Sequence, residues 1–221
     1  MTVAFWSGMR GVQEGVPGLW RSERQQRRRL FQVLRFLIPR VTLPQAGQML
    51  LFGLAGAVIA GAYGVLHDEM TFTVGPEYFT KFKVYQFEYQ DDPGPARWVA
   101  AKIGFQASWW VGFFAGWFLA RLAVPRVPLP VAARLCARGV LGMLAVTLVS
   151  GGIAWATVSW RLDEAALSWW TEAVRGFNIT DVRAFAEVGY IHEGSYLGAL
   201  VGLIGAGVWV RRRCGKLDFN R

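Results

Sequence analysis

This sequence predicts an all-α membrane protein, a four-transmembrane-helix bundle with both termini in the cytoplasm, and three observations carry the prediction. Four apolar stretches, 48–66, 103–120, 139–160 and 194–210, contain no Asp, Glu, Lys, Arg or His, and about twenty apolar residues cross a hydrocarbon core of ~30 Å. The charge alternates in sign between the segments that separate these stretches. Segments 1–47, 121–138 and 211–221 hold 17 of the 24 Lys and Arg but 3 of the 15 acids. Segments 67–102 and 161–193 hold the other 7 basic residues and 12 acids. Basic residues concentrate on the cytoplasmic side of membrane proteins, so the two acidic loops are expected on the outer face of a bacterial inner membrane. The third observation is a face of small residues, Gly53, Ala57 and Gly61, which lets a second helix approach closely.

The formal net charge of +9 would suit a nucleic-acid partner in a soluble chain. Here its segregation between segments reads as topology instead, and no nucleic acid is expected. Cys136 and Cys214 fall in the expected cytoplasmic segments, where thiols stay reduced. Neither has the spacing of a zinc ligand pair. The first twenty residues contain no long apolar core and predict no cleavable signal.

In chain order, residues 1–41 form a cytoplasmic tail. Within it, 21–40 reads RSERQQRRRLFQVLRFLIPR, a basic amphipathic helix suited to the surface of an anionic leaflet through Arg24, Arg27, Arg28 and Arg29. A helix packed on the cytoplasmic loops is the alternative. The membrane domain occupies 42–213, with spans at about 45–66, 98–120, 138–160 and 189–210, and 214–221 is a short tail. Thr42 and Pro44 suit the start of the first span, as a capping hydroxyl and a first-turn proline. MTFTV, 70–74, alternates like a short strand, Gly75-Pro76 makes a turn, and PEYFTKFK begins a helix. Pro125, Pro128 and Pro130 punctuate the link to the third span. Ser150-Gly151-Gly152 marks a kink or a close contact. Thr180 is expected to cap one long helix that runs through the fourth span. AKIGFQASWWVGFFAG (101–116) resembles AEVGYIHEGSYLGALVG (186–202), which predicts a 2+2 internal repeat with spans two and four equivalent.

The only two histidines, His67 and His192, fall at the same expected level of the membrane and on the same side. Asp68 and Glu69 follow the first, and Glu193 follows the second. Imidazole and carboxylate are ligands of zinc, iron and manganese, so His67, Asp68, Glu69, His192 and Glu193 form a candidate divalent-metal site. This requires spans one and four to be neighbours. Helix ends that hydrogen-bond to each other or to water account for the same residues, and two histidines are also the axial pair of a haem. Glu77, Tyr78, Lys81 and Lys83 form a charged, aromatic loop patch that would suit a partner or an anionic ligand. An interfacial aromatic belt with snorkelling lysines is the favoured reading of the patch. No acid or base lies mid-span to serve as a transporter relay. No Walker loop, dinucleotide fingerprint or nucleophile elbow is present.

LHDEMTFTVGPEYFTKFK, SWWVGFFAG and HEGSYLGALVGLI together resemble a family of small bacterial four-span membrane proteins with an HD(Q/E)…(S/G)PEYFTKFK-like outer-loop signature. Glu69 and Gly75 stand where that signature has Gln and Ser. The resemblance covers about 60–120 and 185–205; it implies the architecture and transfers no activity. Two function classes therefore stand. The sequence favours a non-enzymatic interaction or assembly component that presents outer loops to a membrane partner or to further copies of itself. The alternative is a metal-binding membrane protein, an enzyme or an ion handler, built on His67 and His192.

Overall fold

The structure, a computed structural model, describes residues 41–218. The basic helix expected over 21–40, with Arg24, Arg27, Arg28 and Arg29, lies outside the described residues. Every element among the described residues is helical: α1 (Leu43–Val74), α2 (Pro76–Tyr78), a π-turn (Phe79–Lys83), α3 (Val84–Gln86), α4 (Ala96–Ala123), α5 (Leu129–Arg161), α6 (Glu164–Ala173), a 3₁₀ turn (Arg175–Phe177) and α7 (Val182–Asp218). Three of them, α1, α5 and α7, are long and apolar enough to cross a membrane. The fourth long helix, α4, has 28 residues and carries Lys102, Gln106, Ser108 and four tryptophans.

The helices overrun the apolar stretches. α7 has 37 residues, about 55 Å at ~1.5 Å per residue, well beyond a hydrocarbon core of ~30 Å. α1 begins where expected, on a capping box in which the Thr42 hydroxyl accepts from Gln45 N–H and the Gln45 amide accepts from Thr42 N–H. It does not stop at Leu66. The strand expected over 70–74 is instead the last turn of α1. Helical hydrogen bonds propagate through the polar residues because these find partners without leaving the helix: Thr71 Oγ1 donates to His67 O at 2.9 Å, and Asp68 reaches across to α7. Gly75 and Pro76 then end the helix. Gly75 is required by a close approach, since a Cβ there would lie 2.7 Å from the Ala184 carbonyl oxygen of α7. Asp181, not Thr180, caps α7, accepting from Ala184 N–H at 2.9 Å.

Two antiparallel pairs, α1 with α4 and α5 with α7, make the two most extensive helix contacts. Small residues face inward and large apolar ones outward. Gly56 meets Gly112, Gly64 meets Gly104, and Gly116 meets the backbone of Phe52. In the second pair Gly194, Gly198 and Gly202 meet Ala154, Ser150 and Met143. The outer surface carries Leu50, Leu54, Trp110, Phe114, Val149, Leu197 and Leu200, all exposed. A soluble bundle would bury such side chains. Helices that pack in lipid gain nothing by hiding leucine and pack through small residues instead. On α1 the buried glycines are Gly53, Gly56, Gly61 and Gly64, whereas Ala57 is half-buried.

Tyr78, Phe79, Phe185 and Val188, with Phe72, Phe82 and Trp170 packed around them, form an aromatic cap over one end of the bundle. The π-turn, marked by Val84 N–H bonding back to Phe79 O, leaves both Phe79 and Lys83 buried. Such turns are rare and recur at functional sites.

Candidate metal centre

α1 and α7 carry the site, and the glycine seams described above set where their polar residues meet. His67, Asp68 and His192 converge beneath the aromatic cap, with one potential ligand atom from each lying within 4.8 Å of the others. The two imidazoles are edge-to-face at 4.7 Å between centroids. Asp68 and His192 are 5% and 4% exposed. Asp68 Oδ1 lies 3.2 Å from His67 Nδ1 and 3.2 Å from His192 Nε2. His67 Nε2 is 3.2 Å from Ser195 Oγ. The Tyr78 ring packs on His192 at 5.0 Å between centroids.

The backbone settles one proton. His192 Nδ1 lies 2.9 Å from the Val188 carbonyl oxygen, which can only accept, so Nδ1 carries the hydrogen. In the neutral ring Nε2 then presents its lone pair to Asp68 Oδ1. Two lone-pair atoms 3.2 Å apart repel unless a cation lies between them, either a proton or a metal ion. A ring nitrogen that donates to a backbone carbonyl while its partner stays available is also the usual arrangement behind a metal-bound histidine. Bonds of ~2.0–2.2 Å in tetrahedral geometry place ligand atoms about 3.3–3.6 Å apart; the two distances to Asp68 Oδ1, 3.2 Å each, are close to this, and the whole set lies within 4.8 Å.

The other residues of the expected cluster lie elsewhere. Glu69 turns to α4, pairing with Arg97 at 3.1 Å, and Glu193 is exposed. Neither reaches the ligand atoms. The loop patch does not form one exposed surface. Glu77 accepts from the backbone N–H groups of Thr180 and Asp181 at 2.8 and 2.9 Å, and from the Thr180 hydroxyl. It also pairs with Lys81, whose ammonium donates to Asn178 O as well. Burial works against the Glu77 carboxylate, but these donors, led by Lys81, outweigh it and bring its pKa down from 4.5 to about 2. Tyr78 and Lys83 are buried. Burial pushes the Lys83 pKa down, with the Asp68 charge pulling the other way.

Ser195 and Tyr63 were not singled out by sequence. Ser195 is one turn beyond His192 on the same face of α7, and Tyr63 one turn before His67 on α1; that spacing was the available signal. The Tyr63 hydroxyl is buried beside Ser195 without a standard hydrogen bond. Next to the cluster lies a cavity of ~90 Å³ among α1, α4, α5 and α7, with Lys83 and Phe87 also on its wall.

No family model, curated protein or solved structure matches this chain.

Proposed function

We propose that the chain is a metal-binding membrane protein that holds one divalent first-row ion through His67, Asp68 and His192. The observation that carries this is the fixed hydrogen of His192: with Nδ1 bound to Val188 O, Nε2 faces Asp68 Oδ1 with a lone pair, and a cation satisfies both. Two imidazoles and one carboxylate suit zinc, iron or manganese. Ser195 would orient His67, and Tyr78 and Phe79 would keep the site dry. An ion so placed would act as a Lewis acid on an oxygen bound from the cavity side.

The setting we propose is a four-span bundle with α4 as the second span, in a bacterial inner membrane, with both termini cytoplasmic and the metal centre at the outer end. The charge asymmetry of the segments supports the orientation. The 2+2 repeat is supported by its glycines: Gly112 and Gly116 face α1, and their counterparts Gly198 and Gly202 face α5.

Elemental analysis of the detergent-purified protein tests the metal reading. About one ion per chain is expected, retained through desalting and lost in Asp68→Asn and His192→Ala. A protein that stays metal-free after exposure to zinc, iron(II) and manganese(II) would end it.

A further inference from the structure

Lys83 is 8% exposed and lines the same cavity as the histidines. Its ammonium donates to Gln86 Oε1 at 2.7 Å and sits 5.4–5.7 Å from the ring centroids of Tyr78, Phe82 and Phe87. Among the described residues no carboxylate lies within ion-pair distance of it. A buried ammonium held by an amide oxygen and aromatic faces has no carboxylate in contact with it, the Asp68 charge acting only from a distance, and such a charge is costly to keep dry. Across the cavity the wall is apolar, formed by Ile103, Val111, Met143, Leu144 and Ala199. The cavity is therefore polar at one end and greasy along the rest.

The cavity wall also reaches the outer surface of α7. Tyr196 lines the cavity and is 57% exposed, and its neighbours Leu197 and Leu200 are exposed apolar residues on α7. From His192 to Ala199 the wall descends about 10 Å at ~1.5 Å per residue. The volume of ~90 Å³ is several times the ~10–15 Å³ that one water needs on this measure. That holds a head group and the first atoms of a chain, not a whole lipid.

We infer that the cavity takes the acidic head of a single-chain amphiphile, a carboxylate or phosphate seated between Lys83 and the metal centre, with its apolar chain leaving past Tyr196 into the bilayer. This rests on the metal reading above for one of the two positive partners of the head. Lys83 supplies the other.

Saturable binding of parinaric acid, a fluorescent long-chain fatty acid, to the zinc-loaded protein in detergent tests it. Wild type is expected to bind saturably. A fatty alcohol of equal length should compete at least about ten-fold less well than the acid, because a neutral head leaves the ammonium unpaired. Lys83→Gln should weaken the probe about ten-fold, and Ala199→Phe, which fills the cavity, should abolish binding. Both variants should keep their zinc, which reports that they are folded; Val111→Phe, from α4, repeats the block. Competition by dodecyl phosphate against laurate then identifies the head. Equal competition by alcohol and acid, or undiminished binding in both blocked variants, would overturn the inference while leaving the metal site standing. Saturable, Lys83-dependent binding to a protein that takes up no metal would instead retire the metal centre and assign the head to Lys83 alone.

Discussion

The two helix pairs use glycine for different ends. Between α1 and α4 the closest contacts are backbone on backbone: a Cβ at Gly64 would lie 2.0 Å from the Gly104 oxygen, and one at Gly56 2.2 Å from the Gly112 oxygen, while Gly53 and Gly61 face the rings of Phe113 and Phe105. Between α5 and α7 Gly202 also meets backbone, that of Met143, but the closest neighbours of Gly151, Gly194 and Gly198 are side chains. Gly151 faces Ser195 Oγ at 2.4 Å, and Gly198 faces the Cβ and Oγ of Ser150 at 2.7 Å. The first seam fixes the distance between two rods. The second leaves room for hydroxyl groups, one of which reaches His67. Where backbone meets backbone nothing can give, whereas a serine can rotate away.

Gly64→Leu should break this comparison most severely. Its Cβ has no space, so α1 and α4 must separate, and Asp68, one turn further along α1 and packed on Gly104, moves with them. Overpacking that displaces backbone costs about 3 kcal/mol or more. Loss of the cooperative thermal transition in detergent is expected, together with loss of bound metal. A variant that melts like wild type would mean that the seam is looser than its distances.

Next in size is the tie between the two halves. Glu77 follows α1 yet holds Thr180 and Asp181, the two residues that lead into α7. Its carboxyl titrates at about 2 in the folded chain against an ordinary 4.5. Because the folded value is the lower, its stabilisation is complete above pH ~4.5 and disappears as pH falls from there to about 2. With a side chain 17% exposed, screening reduces the contribution to about 1–2 kcal/mol. Glu77→Gln should therefore lower the melting temperature at pH 7 and converge on wild type near pH 2–3. A gap that persists at low pH would assign the effect to shape instead of charge.

A smaller effect is expected from Gly151→Ala. The methyl group meets only Ser195 Oγ closely, which can swing aside at little cost to the fold. His67 then loses the partner of its Nε2. Removing a group that orients a ligand typically lowers metal affinity 10–100-fold. Zinc affinity measured by chelator competition should fall by about ten-fold with the melting temperature of the metal-free protein nearly unchanged. If the melting temperature drops and affinity holds, Ser195 packs the seam and does not serve the site.

Much of this arrangement is legible in the chain, and what is not has physical causes. The apolar stretches mark α1, α5 and α7 because spanning segments are read from composition alone. Their ends are not, because a helix continues past the apolar run wherever polar side chains find partners, as Thr71 and Asp68 do. MTFTV has the alternation of a strand, but that pattern says nothing of the α7 surface that accepts it as helix. His67 and His192 stand out by rarity. That Asp68 joins them and Glu69 does not follows from the direction each side chain takes around α1: Asp68 points about 100° from His67, whereas Glu69 points about 200° from it, on the other side of the helix. Arg97, which draws Glu69 outward, lies 28 residues away and could not be assigned from spacing.

The smallest effect comes from the glycines that touch nothing, and it sharpens the comparison by removing the seam altogether. Gly142 lies on α5 between the contact positions, exposed, with no atom within 4 Å of where a Cβ would stand. Alanine there should have no steric cost and should lose less backbone freedom on folding, a gain of about 0.5–1 kcal/mol in a helix interior. Gly142→Ala is thus expected to raise the melting temperature slightly and leave zinc binding as it was. Gly205→Ala on α7, equally open, should do the same. The sign matters more than the size: glycine is costly in every helix here, and only where a neighbouring chain takes up the space does it stabilise the fold. Destabilisation at Gly142 would show that a further copy of the chain packs on this face, in which case cross-linking at Leu141 would trap dimers.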